Sequence, residues 1–201
     1  TSTDVSLLAV RPYQPEADTR GTRAKRTPLA LAHSMIGRRF ERLAKKEHSP
    51  ITEGSASRDV LFRHVELGSV EVTAADDRWQ DALPVLEQEF RRALEHGFTA
   101  DEFAEARANL VNSYEQEVKR APSRQSSELA TGLVQTINGE GVMSAPEEDL
   151  AVIHAAVETI TPESCHQALR EFWADAGMHL VLTAKEKPAD AEKRLMEIYE
   201  A

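Results

Sequence analysis

The sequence predicts an α+β fold: an antiparallel or mixed sheet with a layer of helices on one face. Three observations carry it. Short strand-like runs open the chain, recur in its first half and return once near its end, with a long helical block between. Within that block apolar residues recur at three and four positions, the period of one helix face. The two runs at 53–63 and 65–75 are joined too closely for a parallel crossover, so they pair antiparallel.

Val5 to Arg11 (VSLLAVR) is the first strand, stopped by Pro12 and Pro15. Asp18 or Thr19 can cap the next segment, and residues 18–27 form either a short helix or a loop. From Thr27, Leu29, Ala32, Met35, Ile36, Phe40 and Leu43 mark a helix face, with Pro28 suited to its first turn. In the strand at 65–75, Val65, Leu67, Ser69, Glu71 and Thr73 point one way, Val70 and Val72 the other. The small residues Gly54, Ser55, Ala56, Ser57, Gly68 and Ser69 suit strands lying close under covering helices.

Trp79, Leu83, Leu86, Phe90 and Leu94 form the next stripe. Pro84 inside it implies a kink, or a true start near residue 83. Gly97 ends this helix as a left-handed residue. Thr99-Ala-Asp-Glu102 is a capping box, and Phe98 can staple against Phe103. Phe103, Ala106, Leu110, Tyr114 and Val118 continue the second helix until Ala121-Pro122-Ser123 breaks it. A helix over about 123–138 carries Leu129, Leu133, Val134 and Ile137. Ser144-Ala-Pro-Glu147 is a second capping box for a helix through about Val157, and Thr161 caps another through about Ala174. MHLVLTA (178–184) reads as a buried-type strand, and Leu195, Met196 and Tyr199 mark a last amphipathic segment.

Composition narrows the function classes. The chain has 201 residues, 41% of them hydrophobic, enough for one substantial core. Aromatics are only 5%, so that core is mostly Leu, Val, Ala and Ile. A net charge of -10 argues against non-specific nucleic-acid or anionic-membrane binding, which needs clustered Lys and Arg. One basic segment stands out, Arg20 to Arg26, continued by Arg38, Arg39, Arg42, Lys45 and Lys46. It reads as a solvated helix face, with an anion- or partner-binding face as the alternative. The single cysteine, Cys165, excludes an intrachain disulfide and leaves the compartment open. No apolar run approaches the ~18 residues of a membrane span. The opening TSTDVSLLAV enters a strand almost at once and looks like a segment cut from a longer protein.

No active site assembles from the motifs. Glu95-His96 matches the end of H-x-x-E-H, but Arg92 stands where the first histidine belongs. His96 is better explained by a helix C-terminus, which favours positive charge. His154 with Glu158, and Glu163 with His166, have spacings that can present metal ligands from two facing helices. Such pairs also arise as ordinary surface pairs, and that is the reading adopted. Cys165 as a nucleophile would need an activating base, and His166 beside it is turned about 100° away on a helix. There is no G-x-S-x-G turn and no phosphate-binding glycine loop. Catalytic, cofactor-binding and metal-binding residues are therefore all expected to be absent from this segment.

WQDALPVLEQEFRRALEHGFTADEFAEARANL (79–110) resembles the helix–Gly-Phe-Thr–helix signature of the pitrilysin/insulinase zinc metallopeptidases. The matching positions are Gly97, Phe98, Thr99, Glu102, Ala106, Arg107 and Leu110. LALAHSMIGRRFERLA (29–44) resembles the family helix carrying Asn-x-Arg-Leu, with Gly37 in the Asn place, Arg39 matching and Phe40 replacing Leu. ETITPESCHQALREFWADAGMHLVLTA (158–184) resembles its late helix and closing strand. The resemblance covers about residues 5 to 184, closest to bacterial members.

Family members close related α+β lobes around a chamber, one lobe carrying H-x-x-E-H and a downstream glutamate. This chain has no H-x-x-E-H, so the resemblance implies a non-catalytic lobe over 1–184, with 185–201 as a C-terminal helical extension or linker. The implied partners are the catalytic lobe of the same parent chain and peptide substrate held against a sheet edge; an exposed edge could also support a homodimer. Zinc is implied only for the separate catalytic lobe. The resemblance tilts localisation toward the periplasm and leaves the cytoplasm open. The alternative is an interaction or scaffold module from a catalytically dead homologue.

Overall fold

The computed structural model describes residues 2–174, 176–186 and 188–199. Positions 1, 175, 187, 200 and 201, which fall within the two expected segments, lie outside the described residues. The elements are β1 (Asp4–Pro12), α1 (Arg20–Ala44), β2 (Ile51–Leu61), β3 (Val65–Ala74), α2 (Trp79–His96) and α3 (Ala100–Arg120). They continue with α4 (Ser126–Asn138), α5 (Pro146–Val157), α6 (Pro162–Ala174), β4 (Gly177–Thr183) and α7 (Ala191–Tyr199). Single turns of 3₁₀-helix lie at Ala75–Asp77 and Ala121–Ser123.

The four strands form one antiparallel sheet in the order β2-β3-β1-β4. The period-2 pattern sets its faces. Leu182, Val5 and Val72 line up across three strands, as do Leu180, Leu7 and Val70. Val5, Leu7, Val70 and Val72 are buried under the helices. The opposite face carries polar side chains: Ser6 donates to Glu71 at 2.7 Å and Thr73 to Asp4 at 2.6 Å. This is the α+β layer the sequence predicts, with one covered face.

Glycines let the helices close on the sheet. A Cβ at Gly54 would lie 2.8 Å from Phe40 of α1, and one at Gly68 would collide with the Phe172 ring of α6. Phe172 and Trp173 pack edge-on to each other, and Trp173 meets Phe90 of α2 at 4.6 Å between ring centres. The core is therefore built where α1, α2 and α6 meet the strands.

Several local expectations are corrected. Residues 20–27 are neither loop nor separate helix: they are the first two turns of α1, whose N-cap is Thr19, accepting from the Thr22 N–H at 3.1 Å. Pro28 consequently sits inside α1 rather than at its start. Helix α2 runs unbroken from Trp79 through Pro84. Gly97 does have positive φ, but at φ 69 and ψ -140 it lies outside the left-handed helical region, in a conformation reserved for glycine. The Ser144 capping box does not form. Ala145 is the N-cap of α5, Pro146 opens it, and Ser144 instead donates to Asp149 at 2.5 Å. β4 is not a buried-type strand: it is the sheet's edge and more than half of it is exposed, because nothing in the described residues packs beyond it. α7 lies against α2 and delivers Leu195 to the core.

Candidate functional site

The best-organised polar cluster is the joint between α1, α2 and α3. Its local origin is the Gly97-Phe98-Thr99 link. Thr99 accepts from the Glu102 N–H at 3.2 Å, and Glu102 accepts from the Thr99 N–H at 2.9 Å, so the capping box forms in full. This turns the Glu102 carboxylate toward α1. There Arg39 meets it with two parallel bonds, Nε to Oε1 at 2.6 Å and Nη2 to Oε2 at 2.9 Å. The same Nη2 donates to the Gly97 carbonyl at 2.8 Å, and the guanidinium lies 5.2 Å from the centre of the Phe98 ring. Phe98 thus stacks on Arg39 as well as flanking the cap.

Arg39 and Glu102 are nearly sealed, with side chains 9% and 13% exposed. Burial pushes the Glu102 carboxyl up. The bonds from Arg39 and from the Thr99 backbone outweigh it and hold the group down at about 2. Arg38 and Arg42 extend the seam, both pairing with Glu105 of α3. Sequence reasoning picked out Arg39 and Glu102 separately, in two matched motifs, without joining them. The signal was there: an arginine and an acidic capping residue in helices of one core.

The rest of the basic segment pairs with acidic residues of neighbouring elements, in part at the surface. Arg23 bridges Asp18, Asp149, Ser144 and the Val142 carbonyl, while Arg20 approaches Glu148 at 3.6 Å. Lys25 pairs with Glu16 at 2.9 Å. The segment therefore divides: Arg23 and Arg39 are drawn into seams between helices, whereas Arg20, Lys25, Arg42, Lys45 and Lys46 stay exposed as the expected solvated helix face.

The candidate metal residues do not converge. His154, Glu158 and Glu163 are exposed, and among the described residues no group of three or more His, Cys, Asp or Glu is placed to hold a metal. His166 has a different task. Its Nε2 donates to the Leu94 carbonyl at 2.8 Å, satisfying an orphan acceptor in the last turn of α2. Its ring also occupies the space a Cβ at Gly97 would need, 2.8 Å away. His96 is exposed beside Glu95. Cys165 is fully buried, and burial raises its thiol to about 12, so it is no nucleophile.

Two surfaces remain open. The β2 edge is blunted by Glu53, Arg58 and Asp59 and by an irregular register at Ile51/Glu53. The β4 edge (GMHLVLT) carries no Asp, Glu, Lys or Arg and pairs in unbroken register with β1. Helix α4 leaves Leu129, Leu133, Val134 and Ile137 between 41% and 63% exposed. The sequence marked these residues as apolar; that nothing covers them could not be read from one helix alone.

This geometry has close counterparts among solved structures. The periplasmic protease PqqL of Escherichia coli superposes with a TM-score of 0.81 at 18% identity, over 100% of this chain and 23% of its own. A predicted insulinase family protease from Yersinia pestis gives 0.81 at 15% identity, over 99% of this chain and 43% of its own. The fold is that of one lobe of an M16 peptidase. The M16 neighbours include an inactive domain from Pseudomonas fluorescens, with a TM-score of 0.61, 15% identity, and coverage of 93% of this chain and 43% of that one. This chain therefore spans less than half the length of these structures. No family model and no curated protein sequence matches it. The M16-lobe fold stands on the shape of the whole chain, since identities below 20% leave few shared residues.

Proposed function

We propose that this chain is a non-catalytic lobe of a zinc metalloendopeptidase, forming chamber wall beside a catalytic lobe of the same polypeptide. The observation that carries it is the M16-lobe fold in a sequence without H-x-x-E-H. The Arg39–Glu102–Gly97 joint gives the lobe its rigidity, since it locks α1 to the α2–α3 turn in one geometry. The β4 edge supplies the surface for extended peptide: a seven-residue strand whose alternate N–H and C=O groups face away from β1, with mostly apolar side chains and no Asp, Glu, Lys or Arg. In this reading the lobe binds and shapes, and the separate catalytic lobe cleaves.

The test is the adjoining coding sequence together with its product. An intact H-x-x-E-H with a downstream glutamate, and zinc-dependent peptide hydrolysis by the longer product, support the reading. A degenerate motif would instead favour the second reading, an interaction module of a catalytically dead homologue, in which the same edge serves a protein partner.

A further inference from the structure

Helix α4 is out of balance with its surroundings. Among the described α-helices it alone has no buried residue, and it makes only sparse contact with other elements. A helix of 13 residues standing in water is marginal, because nucleation is costly and only tertiary packing normally repays it. Its side chains are nevertheless patterned for burial: Leu129, Leu133 and Ile137 fall at successive turns with Val134 beside them, and Val142 and Met143 extend the patch past its end. Its ends are fastened to the body. Arg124 pairs with Glu117 at 2.8 Å before it; after it, Arg63 pairs with Glu140 and the Val142 N–H donates to Asp18 at 2.8 Å. A helix tied at both ends and bare along its apolar stripe is held in place to be covered.

Area and tethering together favour one occupant. The six patch residues expose on the order of 550 Å², so a symmetric pairing of two copies would bury about 1,100 Å², at the low edge of what a stable dimer needs. A domain tethered in the same chain needs far less, because the linker holds it at roughly millimolar effective concentration. The structures this chain resembles run well beyond the matched lobe, which covers 23% of one and 45% of another. We propose that the α4 stripe, with Val142 and Met143, is the docking surface for an adjoining domain of the same polypeptide, which presents an apolar groove to it. This rests on the lobe reading for the existence of that domain, but not on the domain being catalytic.

Amide hydrogen exchange over 127–138 tests it, in the 201-residue chain and in the longer gene product. The chain alone should exchange within about tenfold of unprotected rates, and the longer product at least about a hundredfold slower. The double variant L133E/I137E should leave the melting temperature of the 201-residue chain unchanged while abolishing protection in the longer product; L133A/I137A, which adds no charge, should weaken that protection in the same direction. Equal exchange in both proteins overturns the proposal. So does slow exchange in the chain alone that rises with concentration alongside a sedimenting dimer, which would make a second copy the occupant. Protection appearing only on adding peptide would make substrate the occupant. If α4 is protected by a domain without H-x-x-E-H, the docking surface stands and the peptidase reading falls; a zinc-bearing domain that leaves α4 bare gives the reverse.

Discussion

Replacing Glu102 by Ala should be among the most damaging single changes in the chain. The substitution removes both bonds to Arg39 and the acceptor for the Thr99 N–H. It leaves a guanidinium whose side chain is 9% exposed, with only the Gly97 carbonyl and the Phe98 ring for company. Breaking a buried pair by removing one partner costs about 3–5 kcal/mol, and the cap adds about 1. Because the seam is not fully sealed, solvent screening reduces that sum to about 3 kcal/mol. The carboxyl's descent from its ordinary 4.5 to about 2 gives the same scale, about 3 kcal/mol at 1.36 per unit.

In a chain of this length that corresponds to a fall in Tm of roughly 6–12 °C. The pH dependence has a definite sign: a carboxylate held below its unfolded value stabilises fully above about 4.5, and that contribution is lost as pH falls toward 2. Urea melts of wild type, E102A, R39M and the double variant at pH 7 provide the assay. The double variant should be less destabilised than the sum of the singles by about 2 kcal/mol. Loss below about 0.5 kcal/mol for E102A, or strict additivity, would show that the pair behaves as an exposed surface bridge and refute the reasoning.

Other expectations are as specific. Gly97→Ala should destabilise by more than 2 kcal/mol, at about φ 69 and against the His166 ring, whereas Gly132→Ala, with nothing within 4 Å, should gain about 0.5–1 kcal/mol; chemical melts decide both. His33 is buried, and burial, then the Arg58 charge, lowers its pKa from 6.5 to about 4. Its contribution is therefore complete above 6.5 and lost as pH falls from 6.5 to 4, so His33→Leu should flatten stability against pH in that window. Cys165 should resist thiol reagents in native protein and react once the chain is unfolded, and rapid native labelling would contradict its burial.

Much of this architecture was legible because its signals are local. The Thr99–Glu102 box, the Gly97 stop and the β2–β3 hairpin each arise from a few adjacent residues, and each forms. The misses share a different cause. Pro28 suggested a helix start, but a proline removes only one backbone bond, and the packing of α1 against β2 and α6 continues the helix past it. MHLVLT looked buried because periodicity reports side-chain polarity, not which strand falls at a sheet's edge. Ser144 satisfied a capping pattern, but Arg23 and Asp149 compete for its hydroxyl. The basic segment is solvated for most of its length, but Arg23 is drawn into a bridge that its neighbours in sequence do not show, because its partner Asp149 lies 126 residues away. The Arg39–Glu102 pair, 63 residues apart, was hidden for the same reason.

The central claim is that this lobe shapes a peptidase whose chemistry lies elsewhere in its chain. Zinc content by elemental analysis, with peptide hydrolysis measured on the same samples, tests it most directly for the 201-residue chain and the longer gene product. The account predicts no stoichiometric zinc and no cleavage in the first, and one zinc with chelator-sensitive cleavage in the second. One zinc bound to the 201-residue chain, cleavage by it alone, or a longer product that takes up no zinc would contradict the account.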